Sequence, residues 1–248
     1  MAGTTSTTGG PWTPAPPAPP AYPLVLEGVP DPAVSRWLWL VKWLLLLPHA
    51  IVLAFLWLAY LVLWPVVLVT VAATARYPRA IFDFQVGVLR WSWRVAYYGY
   101  SALGTDAYPP FTLDDVPDHP ARLHVVYPER LSRGLALVKW WLLAIPHYLV
   151  LALLLGPQVR WEDAQGAAQY QSQTGLIGIL VLVVGVVLLF SGRYPRGLHD
   201  LLVGLNRWVY RVGVYVSLMT DQYPPFRLDL GPAEPGTVSD APTPPPSG

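Results

Sequence analysis

"WLWLVKWLLLLPHAIVLAFLWLAYLVLWPVVLVTVAATA" runs from Trp37 to Ala75, and the way it is divided decides the fold. The stretch carries one lysine, Lys42, one histidine, His49, and no carboxylate. As a single straight α-helix it would be about 58 Å long, nearly twice the roughly 30 Å of bilayer hydrocarbon. A tight hairpin turning near Leu56–Tyr60 reconciles the lengths and puts Trp57, Tyr60 and Trp64 at interfacial depth. The expected spans are residues 38–56 and 59–75.

The same text recurs downstream. "VSRWLWLVKWLLLLPHAIVLAFL" from Val34 matches "LSRGLALVKWWLLAIPHYLVLALL" from Leu131. In this second copy the division is visible: residues 135–155 are apolar, 156–173 ("GPQVRWEDAQGAAQYQSQ") are polar, and 174–191 are apolar again. Two such spans joined by a polar loop make a transmembrane hairpin. An arginine- and tryptophan-rich phrase follows each block, "RYPRAIFDFQVGVLRWSWRV" from Arg76 and "RYPRGLHDLLVGLNRWVYRV" from Arg193. Each unit closes on "TDAYPPFTLD" (Thr105–Asp114) or "TDQYPPFRLD" (Thr220–Asp229). A long unit present only twice is a duplicated membrane module rather than a solenoid.

Composition agrees. Of 248 residues 54% are hydrophobic and only 12% charged, with mean hydropathy +0.40. A soluble domain averages about a quarter charged residues. Cysteine is absent, which excludes disulfides and thiolate chemistry. Both ends are Pro-rich and read as disordered tails. The expected organisation is a tail over 1–21, a membrane repeat over 22–119, a second over 120–230 and a tail over 231–248. The fold class is an all-α membrane protein: two tandem transmembrane hairpins, each followed by an amphipathic interfacial helix, near 79–100 and 196–216. Of the 16 Lys and Arg residues only Arg160 falls in the 156–173 loop, so the positive-inside rule puts both termini in the cytoplasm. The expected location is the cell membrane, crossed several times.

Within the arginine phrase Asp83, Gly87, Arg90 and Arg94 share one helical stripe, repeated by Asp200, Gly204, Arg207 and Arg211. Two arginines in mid-segment would each cost a few kcal/mol at the bilayer centre, so these helices belong in the interface. Two readings arise for Arg76, Arg79, Asp83, Arg90 and Arg94 and for Arg193, Arg196, Asp200, Arg207 and Arg211. Their guanidiniums hold anionic lipid phosphates, or they pair with Asp83, Asp106 and their counterparts and clamp each unit. The clamp is preferred, because an Asp accompanies each arginine set.

"LLLLPHAIV" and "LLAIPHYLV" place His49 and His147 after helix-breaking prolines. They are a candidate intramembrane polar pair, read either as bonds across the bundle or as a proton-responsive device. Lys42 and Lys139 are expected to snorkel toward the cytoplasmic surface. Asp114, Asp115, Asp118 and His119 read as a solvated acidic linker rather than a metal site. Phosphate-loop, nucleophile-elbow, dinucleotide and Cys/His metal motifs are absent, so no cofactor and no enzymatic activity are expected. The arginines form no exposed basic stripe of the kind nucleic acid requires.

The unit "LVKWLL…PH…RYPR…FDF.VGVLRWSWRVAYY…TD.YPPF.L" resembles the DUF4389 family, in two copies over residues 22–230. The resemblance implies a multi-pass membrane protein of bacterial, chiefly actinobacterial, cell envelopes; it supplies no reaction. The second copy departs from the first where Phe82-Asp83-Phe84 becomes His199-Asp200-Leu201 and where the polar loop is added. The expected function is a scaffold or assembly factor acting on the bilayer, anionic lipids or membrane-protein partners. A small transporter or channel built from a parallel repeat is the alternative.

Overall fold

The computed structural model describes residues 22–156, 158–162, 168–172 and 174–233. The expected tails at 1–21 and beyond 233 lie outside them. Among the described residues the chain is mostly helical but not all-α. In order come β1 (Leu24–Gly28), α1 (Trp39–Leu45), α2 (Leu47–Thr74), α3 (Arg79–Gly99), β2 (Ala121–Val125), α4 (Arg133–Val138), a π-helical turn (Lys139–Leu143), α5 (Ile145–Leu155), β3 (Gln158–Glu162), β4 (Ala168–Ser172), α6 (Leu176–Ser191) and α7 (Arg196–Val216).

The expected turn at Leu56–Tyr60 does not form: α2 passes through it as one 28-residue helix, about 42 Å long. Nothing in that segment breaks a helix, since Ala, Leu, Trp and Tyr supply neither a φ > 0 position nor a missing donor. The break falls instead at Leu46, one residue before the turn that accommodates Pro48. α2 ends at Ala75, left-handed at φ 59°, whose N–H bonds the Val71 carbonyl. Gly192, at φ 64°, closes α6 in the same way. The hydroxyls of Thr74 and Ser191 bond the carbonyls one turn back and accept the N–H of Arg76 and Arg193.

In repeat 2 the counterpart of α2 comes in two pieces. α5 and α6 supply 11 and 16 residues, and the polar loop is an antiparallel β3–β4 hairpin inserted between them. The pieces abut: a Cβ on Gly175 would lie 2.3 Å from the backbone of Leu155 and Gly156. A second difference is subtler. "KWLLLLPH" from Lys42 becomes "KWWLLAIPH" from Lys139, one residue longer, and the extra residue is taken up by the π turn.

The repeats are related by a pseudo-twofold axis. β1 and β2 pair antiparallel with Leu26 opposite Leu123, which are equivalent positions. Trp93 of α3 meets its own counterpart Tyr210 of α7, ring centroids 5.6 Å apart. The long helices run antiparallel as well. The Leu131 N–H bonds the Ala75 carbonyl at 2.9 Å, and Trp64 packs on Trp140. At the other end Trp39 packs on Gly185, and the Arg36 side chain lies against Gly192. The repeat is therefore inverted with respect to the helix axes, not parallel. The two RYPR phrases sit at opposite ends of the helical layer, so the lysine-and-arginine count that placed both on one side loses the hairpin on which it rested.

Three layers result. α1–α2 and α5–α6 form an outer layer, α3 and α7 an inner one, and β1–β2 with the segments after the YPPF motifs a third. α3 and α7 are thus core helices and not surface-lying ones, with 14 of the 21 residues of α3 buried. Their apolar sides face α2 and α6, and their arginine stripes face the third layer.

Candidate functional site

Each repeat builds the same three devices. The first is a lysine latch. Lys42 is fully buried. Its Nζ donates to the Thr105 carbonyl at 2.6 Å and forms an ion pair with Asp106 Oδ1 at 2.9 Å, over the Tyr98 ring. Lys139 does the same with the Thr220 carbonyl and Asp221 Oδ1, both at 2.8 Å, beside Tyr215. The other carboxylate oxygen accepts the N–H of Ser35 or Ser132 at 2.5 Å. The latches tie the entry of each long helix to the TD of its own YPPF motif. Neither lysine snorkels. A lysine repeated inside an apolar run and followed by a repeated Thr-Asp was the available signal.

The second device is an aromatic cage. His49 and His147 are fully buried. His49 stacks on Phe111 at 3.9 Å and His147 on Phe226 at 4.4 Å, with Tyr108 and Tyr223 at 4.9 Å. The indole N–H groups of Trp91 and Trp208 donate to the respective Nδ1 atoms at 3.1 and 3.3 Å. An indole can only donate, so Nδ1 is the acceptor and each neutral imidazole carries its proton on Nε2. Protonating Nδ1 would set two donors face to face. The hydroxyls of Tyr108 and Tyr223 bond the Leu45 and Leu143 carbonyls near each proline break. The two histidines thus occupy separate cages, each furnished by its own repeat.

The third device is the arginine clamp, whose acceptors differ from those expected. Arg94 donates to the Asp114 carbonyl at 3.0 Å and to that of Thr112. Arg90 donates to Leu113 and Leu123 carbonyls at 3.2 and 3.1 Å. Arg207 reaches the Leu26, Asp229 and Gly231 carbonyls, and Arg211 pairs with Asp229 at 2.7 Å. Arg90 and Arg207 thereby reach equivalent strand residues of the opposite repeat, so the repeats are cross-tied. The glycine of each stripe permits this: a Cβ on Gly87 would lie 2.8 Å from Leu113 Cβ, and one on Gly204 2.8 Å from the Asp229 carbonyl. Burial pushes the Arg94 guanidinium down to about 10, with neighbouring Arg90 adding to the effect, and leaves it charged at neutral pH. Burial works against the Asp229 charge, but Arg211 and Arg227 outweigh it and hold the carboxyl below the ordinary carboxylate range.

The aspartates singled out from sequence lie elsewhere. Asp83 pairs with exposed Arg79 at 3.3 Å, and Asp200 lies beside His199. Asp106 serves Lys42 rather than an arginine. Arg76, Arg79, Arg193 and Arg196 are exposed, with Arg79 over the Tyr127 ring. Within the acidic linker Asp115 meets Arg90 and Arg122, and His119 Nδ1 accepts the Ala121 N–H. Sequence reasoning located the arginines but not their acceptors, because a backbone carbonyl leaves no signature in residue type.

The devices join the phrases that recur in both copies: VKW, PH, RYPR…RW..RV and TD.YPPF. The pattern of the "Domain of unknown function (DUF4389)" matches residues 36–112 and 167–227, more than half of the chain. The chain belongs to the DUF4389 family. The first DUF4389 segment covers the uninterrupted repeat; the second resumes beyond the inserted hairpin's first strand. No curated protein and no solved structure matches.

Proposed function

We propose that this DUF4389 protein is a non-enzymatic scaffold or assembly factor of the bacterial cell envelope, seated on the bilayer by its outer helical layer. The observation that carries this is the face of that layer. α2 is long and apolar enough to cross a membrane, with mean hydropathy 2.5 over its best window, and only 17% of that window is buried. Ile51, Phe55, Leu61 and Val69 of α2 project outward, as do Leu149 of α5 and Phe190 of α6. At about 1.5–3 kcal/mol for each large apolar side chain withdrawn from water, ten such residues rival a domain's whole folding stability of about 5–15 kcal/mol. Such a face is not left in water.

The third layer favours one way of seating it. Arg122 and Asp115, 46% and 48% exposed, flank Leu123 on the pseudo-twofold axis. Helices standing upright across the bilayer, as in a multi-pass arrangement, would carry this pair to the hydrocarbon midplane, at about 2.5–3.5 kcal/mol or more per charge. With α1–α2 and α5–α6 lying in the membrane plane, the axis runs along the normal, the apolar layer is immersed, and the polar layer stays in water to meet partners. Both RYPR phrases then lie at one depth, and Trp37, Trp43 and Trp141 of the same layer are exposed.

The alternative of a small transporter has less support, because each histidine is fully buried against the Trp, Tyr and Phe of its own repeat. Vesicle reconstitution separates the two readings. The scaffold reading expects proton and ion flux no greater than in empty vesicles, and crosslinks to partner proteins through the polar layer. Flux abolished by His49→Ala would favour transport.

A further inference from the structure

The two repeats differ most where the axis meets the outer layer, and there the protein is hollow. A cavity of about 520 Å³ lies between the middle of α2, the α5–α6 junction and the facing sides of α3 and α7. Its size falls within the roughly 300–1,000 Å³ of small-molecule sites. Leu89, Ala96, Leu154, Ile177 and Val209 make most of its wall apolar. A second cavity of about 450 Å³ shares Trp57, Ser92 and Tyr100 with the first and continues toward Leu46 and Trp43. From Trp57 to Leu46 is about 16 Å along the helix axis. The hollow is thus elongated, and it borders the exposed apolar face through Leu155 and Tyr100.

Two features of repeat 2 contribute to it. The helix break at Gly156 and Gly175 removes wall that an unbroken helix would supply. Gly213 of α7 stands where α3 has Ala96, and a Cβ there would meet no atom within 4 Å. One polar atom is left over at the wall: the Ser101 hydroxyl, on a residue 4% exposed, has no hydrogen-bond partner. Trp57 and Asn206 beside it already have acceptors. Trp57 donates to Ser92 at 3.0 Å, and Asn206 donates to the Ser101 and Leu202 carbonyls. A buried hydroxyl without a partner is costly to maintain, so an acceptor supplied by a ligand would satisfy it.

We infer that this hollow binds one hydrocarbon chain of a bilayer lipid, with the chain's ester carbonyl accepting a hydrogen bond from the Ser101 hydroxyl. The inference rests on the membrane seating proposed above. The occupant's chemistry follows from the wall: it is long and mostly apolar, presents the unpartnered Ser101 hydroxyl, and among the described residues is lined by neither Lys nor Arg. A neutral ester fits that wall, whereas the carboxylate of a free fatty acid would lack a counter-ion.

The test uses the full chain in phosphatidylcholine–phosphatidylglycerol vesicles doped with a phosphatidylcholine bearing a diazirine on its acyl chain, and in a parallel arm with a diazirine fatty acid. Flotation and thermal melting are read alongside the crosslinks. Photolysis of the wild-type chain in the lipid arm is expected to label peptides spanning 89–101 and 206–213. Gly213→Leu starts from a Cβ that meets no atom within 4 Å, projects into the hollow and improves helix propensity; it should lower that labelling at least tenfold while flotation and melting hold. Ser101→Ala should lower it several-fold. Unchanged labelling in Gly213→Leu, or labelling confined to outward residues such as Phe55 and Phe190, overturns the inference and leaves the seating intact. Stronger labelling by the fatty acid than by the lipid overturns the ester assignment. A wild-type chain that does not float overturns the seating, and the inference with it.

Discussion

Repeat 1 carries its apolar layer on one continuous helix; repeat 2 breaks the same layer with a β-hairpin and bends its entry with a π turn. The lysine latch and the histidine cage nevertheless keep the same partners in both, within a few tenths of an ångström. What the fold holds constant is therefore not the long helix but the set of contacts between helix entry, arginine helix and YPPF segment. The π turn shows how. An inserted residue in a regular helix would rotate everything beyond it by about 100°, carrying His147 away from Trp208; one wide turn absorbs it.

The largest losses of stability are expected at the latches. Asp106→Asn leaves the fully buried Lys42 facing a neutral partner, and Asp221→Asn does the same to Lys139. Because each carboxylate is about a quarter exposed, each loss is expected near the lower end of the roughly 3–5 kcal/mol typical of a broken buried pair. Chemical denaturation of the two variants in detergent should give losses of similar size. A loss in one repeat only would mean that the devices are not equivalent.

The stripe glycines come next. Gly87→Ala and Gly204→Ala each drive a methyl group into the segment that the arginines hold, at about 1–3 kcal/mol. Hydrogen exchange should rise at residues 111–115 in the first variant and at 226–230 in the second. His49→Ala and His147→Ala strip the acceptor from a buried indole, at about 1–3 kcal/mol each. Melting should fall by similar amounts in both.

A smaller effect separates the repeats by pH. Asp229 is held below its ordinary range, so its stabilisation is complete above that range and fades as pH falls through the lowered value. In repeat 1 Arg94 takes the Asp114 backbone carbonyl, which does not titrate. Between neutral pH and about pH 3, protection against exchange, taken relative to the intrinsic rate at each pH, should fall more at 226–230 than at 111–115. The smallest effect is expected from deleting Trp141, which restores the repeat 1 spacing. The π turn should become an α turn with melting nearly unchanged, since latch and cage keep their places.

The duplication was legible in the sequence, and so were the bounds of α3 and α7, because Pro78 and Pro195 mark their starts and their apolar period is regular. The division of Trp37–Ala75 was not. A two-span hairpin and a bent long helix share one composition; the missing helix breaker at Leu56–Tyr60 and the packing against the other repeat choose between them. The inverted arrangement was hidden for a related reason. It depends on Leu26 pairing with Leu123, a contact between short strands 97 residues apart that the sequence presents only as extended, Pro-flanked entries.

The central claim, that the long helices lie in the membrane plane, is tested most directly by single-cysteine labelling. The chain has no cysteine of its own, so Arg79→Cys and Arg196→Cys, at opposite ends of the helical layer, each give one reactive thiol. Both should react with a membrane-impermeant maleimide from the same side of sealed vesicles and be protected from the other. One labelled from each side would mean that the helices stand across the bilayer, and would contradict the account.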